Sequence, residues 1–287
     1  MTKAKAYYEL TKPGVTYGNA ISAIAGYLFA AHGTINWPLF LWVTVGTTLV
    51  IGSACALNNY LDQDIDAKME RTKKRAKLIA TVGPRNALVF SILLGLAGFA
   101  MLAAFTSWLV VAIEIVGFVD YVVLYGMWAK RKSVHGTLVG SISGAIPILA
   151  GYVAVSGTID LGALLVFGVI FVWQMPEFYS ISIYRRAEYA AAGVPVISVV
   201  RGVKRTTLEI FIYTLLFAVF SILLGVTGYA SVSYTIIMTL VSLYWLRLGF
   251  QGFRAPDPSV WARKMFKFSL TALLVFCGLI AIDAWLP

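Results

Sequence analysis

Residues 38–66 read PLFLWVTVGTTLVIGSACALNNYLDQDID, and the fold follows from how this stretch is built. From Pro38 to Leu61 there is no charged residue. That is enough chain to cross a bilayer core, which takes about 20 apolar helical residues. Polarity then arrives abruptly, with Asn58 and Asn59 at the end of the apolar run and Asp62, Asp64 and Asp66 directly after it. A helix apolar all round is buried in protein or lipid, so the stretch is a membrane span that ends at an acidic mouth.

Comparable apolar runs lie on both sides of it, and together they predict nine spans, at 14–33, 38–58, 86–105, 107–127, 136–155, 161–181, 208–229, 231–250 and 265–286. Composition agrees. Of 287 residues, 60% are apolar and 13% charged, with a mean hydropathy of +0.82, against about 45–50% and 25% in soluble domains. This excludes an ordinary soluble enzyme or a disordered chain and leaves no length for a separate soluble domain. The expectation is an all-α polytopic membrane protein, one transmembrane domain over 1–287.

The 23 Lys and Arg against 13 Asp and Glu give a net charge of +10, which in a soluble chain suggests nucleic acid. Position decides otherwise. The basic residues precede span one or fall in the connections after spans two, four, six and eight, while the alternate connections have none. By the positive-inside rule the basic side is cytoplasmic, with the N-terminus inside and the C-terminus outside. No nucleic-acid partner is implied, only the lipid bilayer. Cys55 and Cys277 lie inside spans without metal-ligand spacing and read as packing residues.

Asn58, Asp62 and Asp66 are spaced i, i+4, i+8, one stripe of a helix that continues past the span. Carboxylates about 6 Å apart along the axis repel at the mouth of a low-dielectric cavity and call for a cation. Mg²⁺ is held through one or two carboxylates plus substrate phosphates, and the basic run Arg71–Lys77 suits an anionic head group. Asp64 points away from Asp62 and is expected to be solvated. A second stripe follows span six, where Glu177, Ile181, Tyr184 and Glu188 share a helical face beside Arg185, with Pro176 as a possible kink. An acid near the end of an apolar span is costly unless partnered or hydrated, which makes Glu177 a site candidate. Two four-helix halves, each ending one acidic stripe at the mouth of a central cavity, plus a ninth helix, account for the separation. Glu114 and Asp120, inside span four, read equally as functional groups or as tethers between helices.

At these residues the chain resembles the UbiA-type intramembrane prenyltransferases, most closely the branch that farnesylates protoheme IX. The resemblance is carried by Leu10-Thr11-Lys12-Pro13, Asn58-Asn59-Tyr60 through Asp66, Met69-Glu70-Arg71-Thr72, Lys130-Arg131, Trp173-Gln174-Met175-Pro176, Tyr189 with Ala192-Gly193-Val194-Pro195, and Trp261-Ala262-Arg263-Lys264. It implies a nine-helix bundle with a lateral opening, in the inner or plasma membrane. The implied reaction is Mg²⁺-dependent transfer of farnesyl from farnesyl diphosphate to a vinyl group of heme b, giving heme O for terminal oxidases. A heme A synthase or an oxidase assembly partner is implied in the same way.

Carried over, Asn58, Asp62 and Asp66 hold the Mg²⁺-diphosphate, with Arg71, Arg75, Lys130 and Arg131 as diphosphate partners. Asp62, Asp66, Glu177 and Glu188 are the catalytic candidates, and Trp173, Gln174 and Tyr184 are expected at the substrate. Tyr60, Tyr121, Tyr125, Trp173, Phe178 and Tyr179 offer faces to an allylic cation. The chain departs from the family in having Glu177 where His is common, Glu188 where Asp is, and Ser198 where Pro is. With that His absent, His135 is the candidate heme ligand, and Glu177 opens two alternatives: a second Mg²⁺ ligand, and a quinone-ring or other aromatic acceptor. From a different class, a secondary transporter would use Glu114 and Asp120 as an ion relay, but transporters place such groups near the midplane.

Overall fold

The computed structural model describes residues 2–70 and 72–287, apart from the side chain of Ala76. Among them every regular element is a helix. The chain runs α1 (Lys3–Leu10), α2 (Pro13–Ala31), α3 (Trp37–Leu61), α4 (Gln63–Asp66), α5 (Lys73–Val82), α6 (Pro84–Phe105) and α7 (Trp108–Lys132). It continues with α8 (Gly136–Ser156), α9 (Leu161–Tyr184), α10 (Arg186–Ala191), α11 (Ile197–Val200), α12 (Gly202–Val226), α13 (Val232–Gln251) and α14 (Pro258–Ile282).

Among the described residues eight helices are long and apolar enough to cross a membrane: α3, α6, α7, α8, α9, α12, α13 and α14. The remaining expected span, α2, is a 19-residue helix diluted by Gly, Ser, Thr and Asn. Several helices outrun the apolar runs that predicted them. Gly202–Val226 begins six residues before 208 and Pro258–Ile282 begins seven before 265, because polar residues at the interface continue the same backbone hydrogen bonding.

Local chemistry fixes where the helices begin. Asn36, Ser107, Asp160 and Ser231 cap α3, α7, α9 and α13, each accepting from a backbone N–H of the first turn (Leu39, Val110, Ala163 and Tyr234). Those four orphan donors would otherwise be unsatisfied at the membrane boundary. All four caps lie in the connections that carry no basic residue.

Packing repeats along the chain. Helix α3 packs against α6 as α9 packs against α12; α2 crosses α8, and α14 closes the ring by touching both α9 and α2. The α2–α8 crossing is close enough to require glycine. A Cβ on Gly26 would stand 2.1 Å from the Ile148 carbonyl oxygen, and one on Gly151 2.0 Å from that of Ala23. Small residues at such crossings let helices bond through van der Waals contact where no hydrophobic force separates helix from lipid. A small apolar cluster of Ile65, Met69, Ala192 and Val194, apart from the main core, joins the connection after α3 to the one after α9, so both expected acidic segments meet at one end of the bundle.

Candidate active site

The bundle encloses a cavity of about 450 Å³, within the range of about 300–1,000 Å³ usual for small-molecule sites. Its mouth is charged and its interior aromatic. Helix α3 ends at Leu61, yet the expected stripe survives the break. The Asp62 N–H donates to the Asn58 carbonyl (2.9 Å) and the Asp66 N–H to the Asp62 carbonyl (2.8 Å), which keeps the three residues one turn apart.

Asn58 and Asp66 line the cavity together with Lys12, Arg75 and Lys130. Asp62 lies just behind them, its carboxylate ion-paired with Lys130 and 3.6 Å from Arg131. The Lys12 ammonium donates to Asn58 Oδ1. Asn58 Nδ2 and Asp62 Oδ1 find no hydrogen-bond partner among the described residues, and Asp66, 4% exposed, accepts no side-chain hydrogen bond or ion pair from them.

Those open oxygens bear on the metal. Among the described residues no three His, Cys, Asp or Glu come together as a cage. Two carboxylates with open positions beside a cationic wall do fit Mg²⁺ held through one or two carboxylates and substrate phosphates. They do not fit a metal enclosed by protein alone.

The sequence placed Lys12 among the orienting charges and in the Leu10-Thr11-Lys12-Pro13 motif but gave it no role at the site. It is 9% exposed and left-handed (φ 50°, ψ 67°) immediately before Pro13. A non-glycine residue in that region costs about 1–2 kcal/mol, and strain of this kind clusters at functional sites. Burial brings its ammonium pKa down to about 8. The pattern that marks it is a lysine followed by the proline that starts a span.

The interior wall is supplied by α7, α8 and α9. From Asp120 to Ala129 the backbone of α7 widens into a π-helix, a geometry frequent at functional sites. It carries Tyr121 and Tyr125, with rings stacked 5.8 Å apart, into the cavity. Opposite them, Trp173, Gln174, Glu177 and Phe178 of α9 line the wall. The Trp173 indole N–H donates to the Ser269 carbonyl (2.8 Å) and the Gln174 amide to the Ser141 carbonyl (2.9 Å). Tyr179 turns instead toward Tyr213 of α12. Glu114 and Asp120 act as tethers. Thr47 of α3 donates to Glu114 (2.6 Å), and the Ser143 N–H of α8 donates to Asp120 (3.0 Å). Glu114 also borders the cavity.

Other expected residues lie elsewhere. The second stripe is not continuous, because α9 ends at Tyr184 and the chain turns at Arg185 (φ −114°) before α10. Glu188 therefore leaves the Glu177 face and pairs with Arg185 (2.6 Å). Tyr184 packs against Arg263 and Phe266 outside the cavity. Asp64, expected to be free in solvent, is held by a two-pronged Arg131 contact (2.7 and 2.8 Å) that brings its carboxyl down to about 2. Arg131 also donates to the Leu61 carbonyl, so it braces the mouth from behind. Tyr60 packs beside the Ala6, Leu10 and Ile79 cluster. His135 is exposed, with its ring 3.2 Å from Arg201, and does not line the cavity. Arg71 lies outside the described residues. Cys55 and Cys277 are buried free thiols.

Comparison with known proteins agrees with this geometry. A profile described as the UbiA prenyltransferase family matches residues 19–271. Protoheme IX farnesyltransferase of Citrobacter koseri is 43% identical over 283 residues, covering 99% of this chain and 96% of that protein. The same-named protein of Cronobacter sakazakii matches at 43% with the same coverage. A solved digeranylgeranylglyceryl phosphate synthase structure shares the fold at a TM-score of 0.83, 18% identity and 99% coverage of both chains. An Archaeoglobus fulgidus UbiA homologue bound to DMAPP and Mg²⁺ does so at 0.70, with 12% identity and coverage of 96% and 99%.

Proposed function

The chain belongs to the UbiA prenyltransferase family, and from that premise we propose that it is a protoheme IX farnesyltransferase, transferring farnesyl from farnesyl diphosphate to a vinyl group of heme b. Relatives 43% identical over 99% of the chain carry that name. The observation that carries the reading is the polarity of one cavity: Lys12, Asp66, Arg75 and Lys130 at its mouth, Tyr121, Tyr125 and Trp173 in its wall. An amphiphile with a diphosphate head and a prenyl tail matches that division.

In this reading Asp62 and Asp66 hold Mg²⁺ with the diphosphate, Asn58 orients the site, and Lys12, Arg75 and Lys130 contact the phosphate oxygens. Bound there, Mg²⁺ neutralises charge that develops on the leaving diphosphate. The fixed cations of the mouth do the same without reorganising during reaction. The stacked Tyr121 and Tyr125 rings and Trp173 offer π faces to the allylic carbon, worth about 0.5–2 kcal/mol each. Arg71 keeps its expected role as a diphosphate partner.

The family assignment and the placement of every Lys and Arg support two further readings. Helix α2, packed between α8 and α14, is a ninth span, and the mouth faces the cytoplasm of a cell whose inner or plasma membrane holds the protein.

Incubating membranes that contain the protein with farnesyl diphosphate, Mg²⁺ and heme b, then resolving the hemes by chromatography, tests the activity. A farnesylated heme is expected. Its absence, with a labelled quinone precursor prenylated instead, overturns the choice of acceptor.

A further inference from the structure

We propose that Glu177 is the catalytic base that takes a proton from the water completing the reaction, an inference that rests on the heme farnesyltransferase reading. Electrophilic prenylation of a vinyl group needs one. The vinyl π pair forms a C–C bond to C1 of the farnesyl group as the C1–O bond to diphosphate breaks. This leaves a cation on the vinyl carbon attached to the porphyrin. A water oxygen then bonds to that carbon, and the water gives up one proton. The products are a hydroxylated farnesyl heme, diphosphate and the proton, which a base beside the reacting vinyl carbon accepts.

Three carboxylates of the described residues border the cavity: Asp66, Glu114 and Glu177. Asp66 lies at the mouth beside Lys12, Arg75 and Lys130, where the diphosphate is placed. Glu114 is tied by the Thr47 hydroxyl. Glu177 accepts no hydrogen bond or ion pair from the described residues, and α9 carries no basic residue before its end at Tyr184. Its neighbours one turn earlier cannot substitute, since the Trp173 and Gln174 N–H groups are donors already committed to backbone carbonyls.

Position favours the same assignment. Glu177 stands seven residues, about 10 Å of helix rise, before the end of α9. The cluster of Ile65, Met69, Ala192 and Val194 closes that end against the Asp66 segment. The carboxylate lines the cavity on the wall that carries Trp173, Gln174 and Phe178, the wall against which the acceptor ring is placed. General bases typically contribute about 10²–10⁴-fold.

The test is the identity of the product. Membranes holding the wild-type protein, Glu177→Gln or Glu177→His are supplied with farnesyl diphosphate, Mg²⁺ and heme b. Hemes are then resolved by mass and released diphosphate is measured in parallel. Wild-type protein and Glu177→His, which keeps a proton acceptor, are expected to give the hydroxylated farnesyl heme. In Glu177→Gln that product falls about 10²-fold while diphosphate release continues. The heme cation instead loses a proton from the adjacent carbon to an oxygen of the released diphosphate, held at the mouth by Lys12, Arg75 and Lys130, giving a farnesyl heme lighter by one water. Hydroxylated product from Glu177→Gln at the wild-type rate overturns the inference, as does loss of diphosphate release in that variant with its membrane level unchanged. Absence of any farnesylated heme from the wild-type protein overturns the functional reading instead.

Discussion

Lys130, near the end of α7, forms an ion pair with the carboxylate of Asp62 at the end of α3, joining residues 68 positions apart in the chain. The Asp62 side chain is 1% exposed and that of Lys130 is 19% exposed. The pair thus stands at the boundary between a buried carboxylate and the open mouth, and it pins the end of α3 to the end of α7.

Asp62 and Asp66 should separate in their effects. Asp66→Asn is expected to lower farnesyl transfer about 10²–10³-fold with little change in thermal stability, because no side chain of the described residues depends on it. Asp62→Asn should abolish transfer and also destabilise, by about 3 kcal/mol, since it leaves Lys130 without its partner. Activity and melting temperature in detergent, measured on both variants, check this; full activity in either sinks its assignment to the metal site.

Chelation makes a related prediction. Removing divalent ions with EDTA should stop the reaction while farnesyl diphosphate still binds weakly through Lys12, Arg75 and Lys130, and added Mg²⁺ should restore turnover. Isotope-labelled substrate binding beside turnover in the same membranes distinguishes the two effects.

Lys12→Gly isolates a side chain from its backbone, because glycine adopts φ 50° without the penalty that lysine meets. Loss of the charge-assisted hydrogen bond to Asn58, worth about 1.5–3 kcal/mol, is expected to raise KM for farnesyl diphosphate about tenfold or more. An unchanged KM would remove Lys12 from the diphosphate site.

Arg131 should behave as a brace. Arg131→Ala and Asp64→Ala are each expected to reduce stability modestly. A double-mutant cycle should give about 0.2–1 kcal/mol of coupling, the range for an exposed pair, since Asp64 is 59% exposed. KM for farnesyl diphosphate should move less than in Lys12→Gly.

Gly151→Ala tests the helix crossing that shapes the cavity. The added methyl meets the Ala23 carbonyl oxygen at 2.0 Å, and overpacking of this kind costs about 1–3 kcal/mol. A lower melting temperature is expected, whereas Gly278→Ala, which meets nothing within 4 Å, should leave it unchanged.

The two acidic segments show how far pattern carries. Asn58, Asp62 and Asp66 were legible because hydrogen bonding at i, i+4 continues through the end of α3, so spacing in sequence equals neighbourhood in space. The same inference failed for Glu188, which the turn at Arg185 takes off the face of Glu177 and Tyr184. No glycine or proline marks the turn at Arg185, and an unmarked helix end carries no local signal.

Apolar runs, basic loops and capping residues are local properties, and they were enough for the helical membrane class and the positions of eight long apolar helices, and they singled out the segments proposed to bear the chemistry. Tertiary structure alone decided which charges face one another. Lys12 reaches Asn58 and Lys130 reaches Asp62, Arg131 turns to Asp64, and Glu177 stays without a partner among the described residues in the cavity wall. Each of these contacts joins, or fails to join, helices distant in the chain, and an electrostatic pairing in a low-dielectric interior depends on distance in space, which no spacing along the sequence specifies.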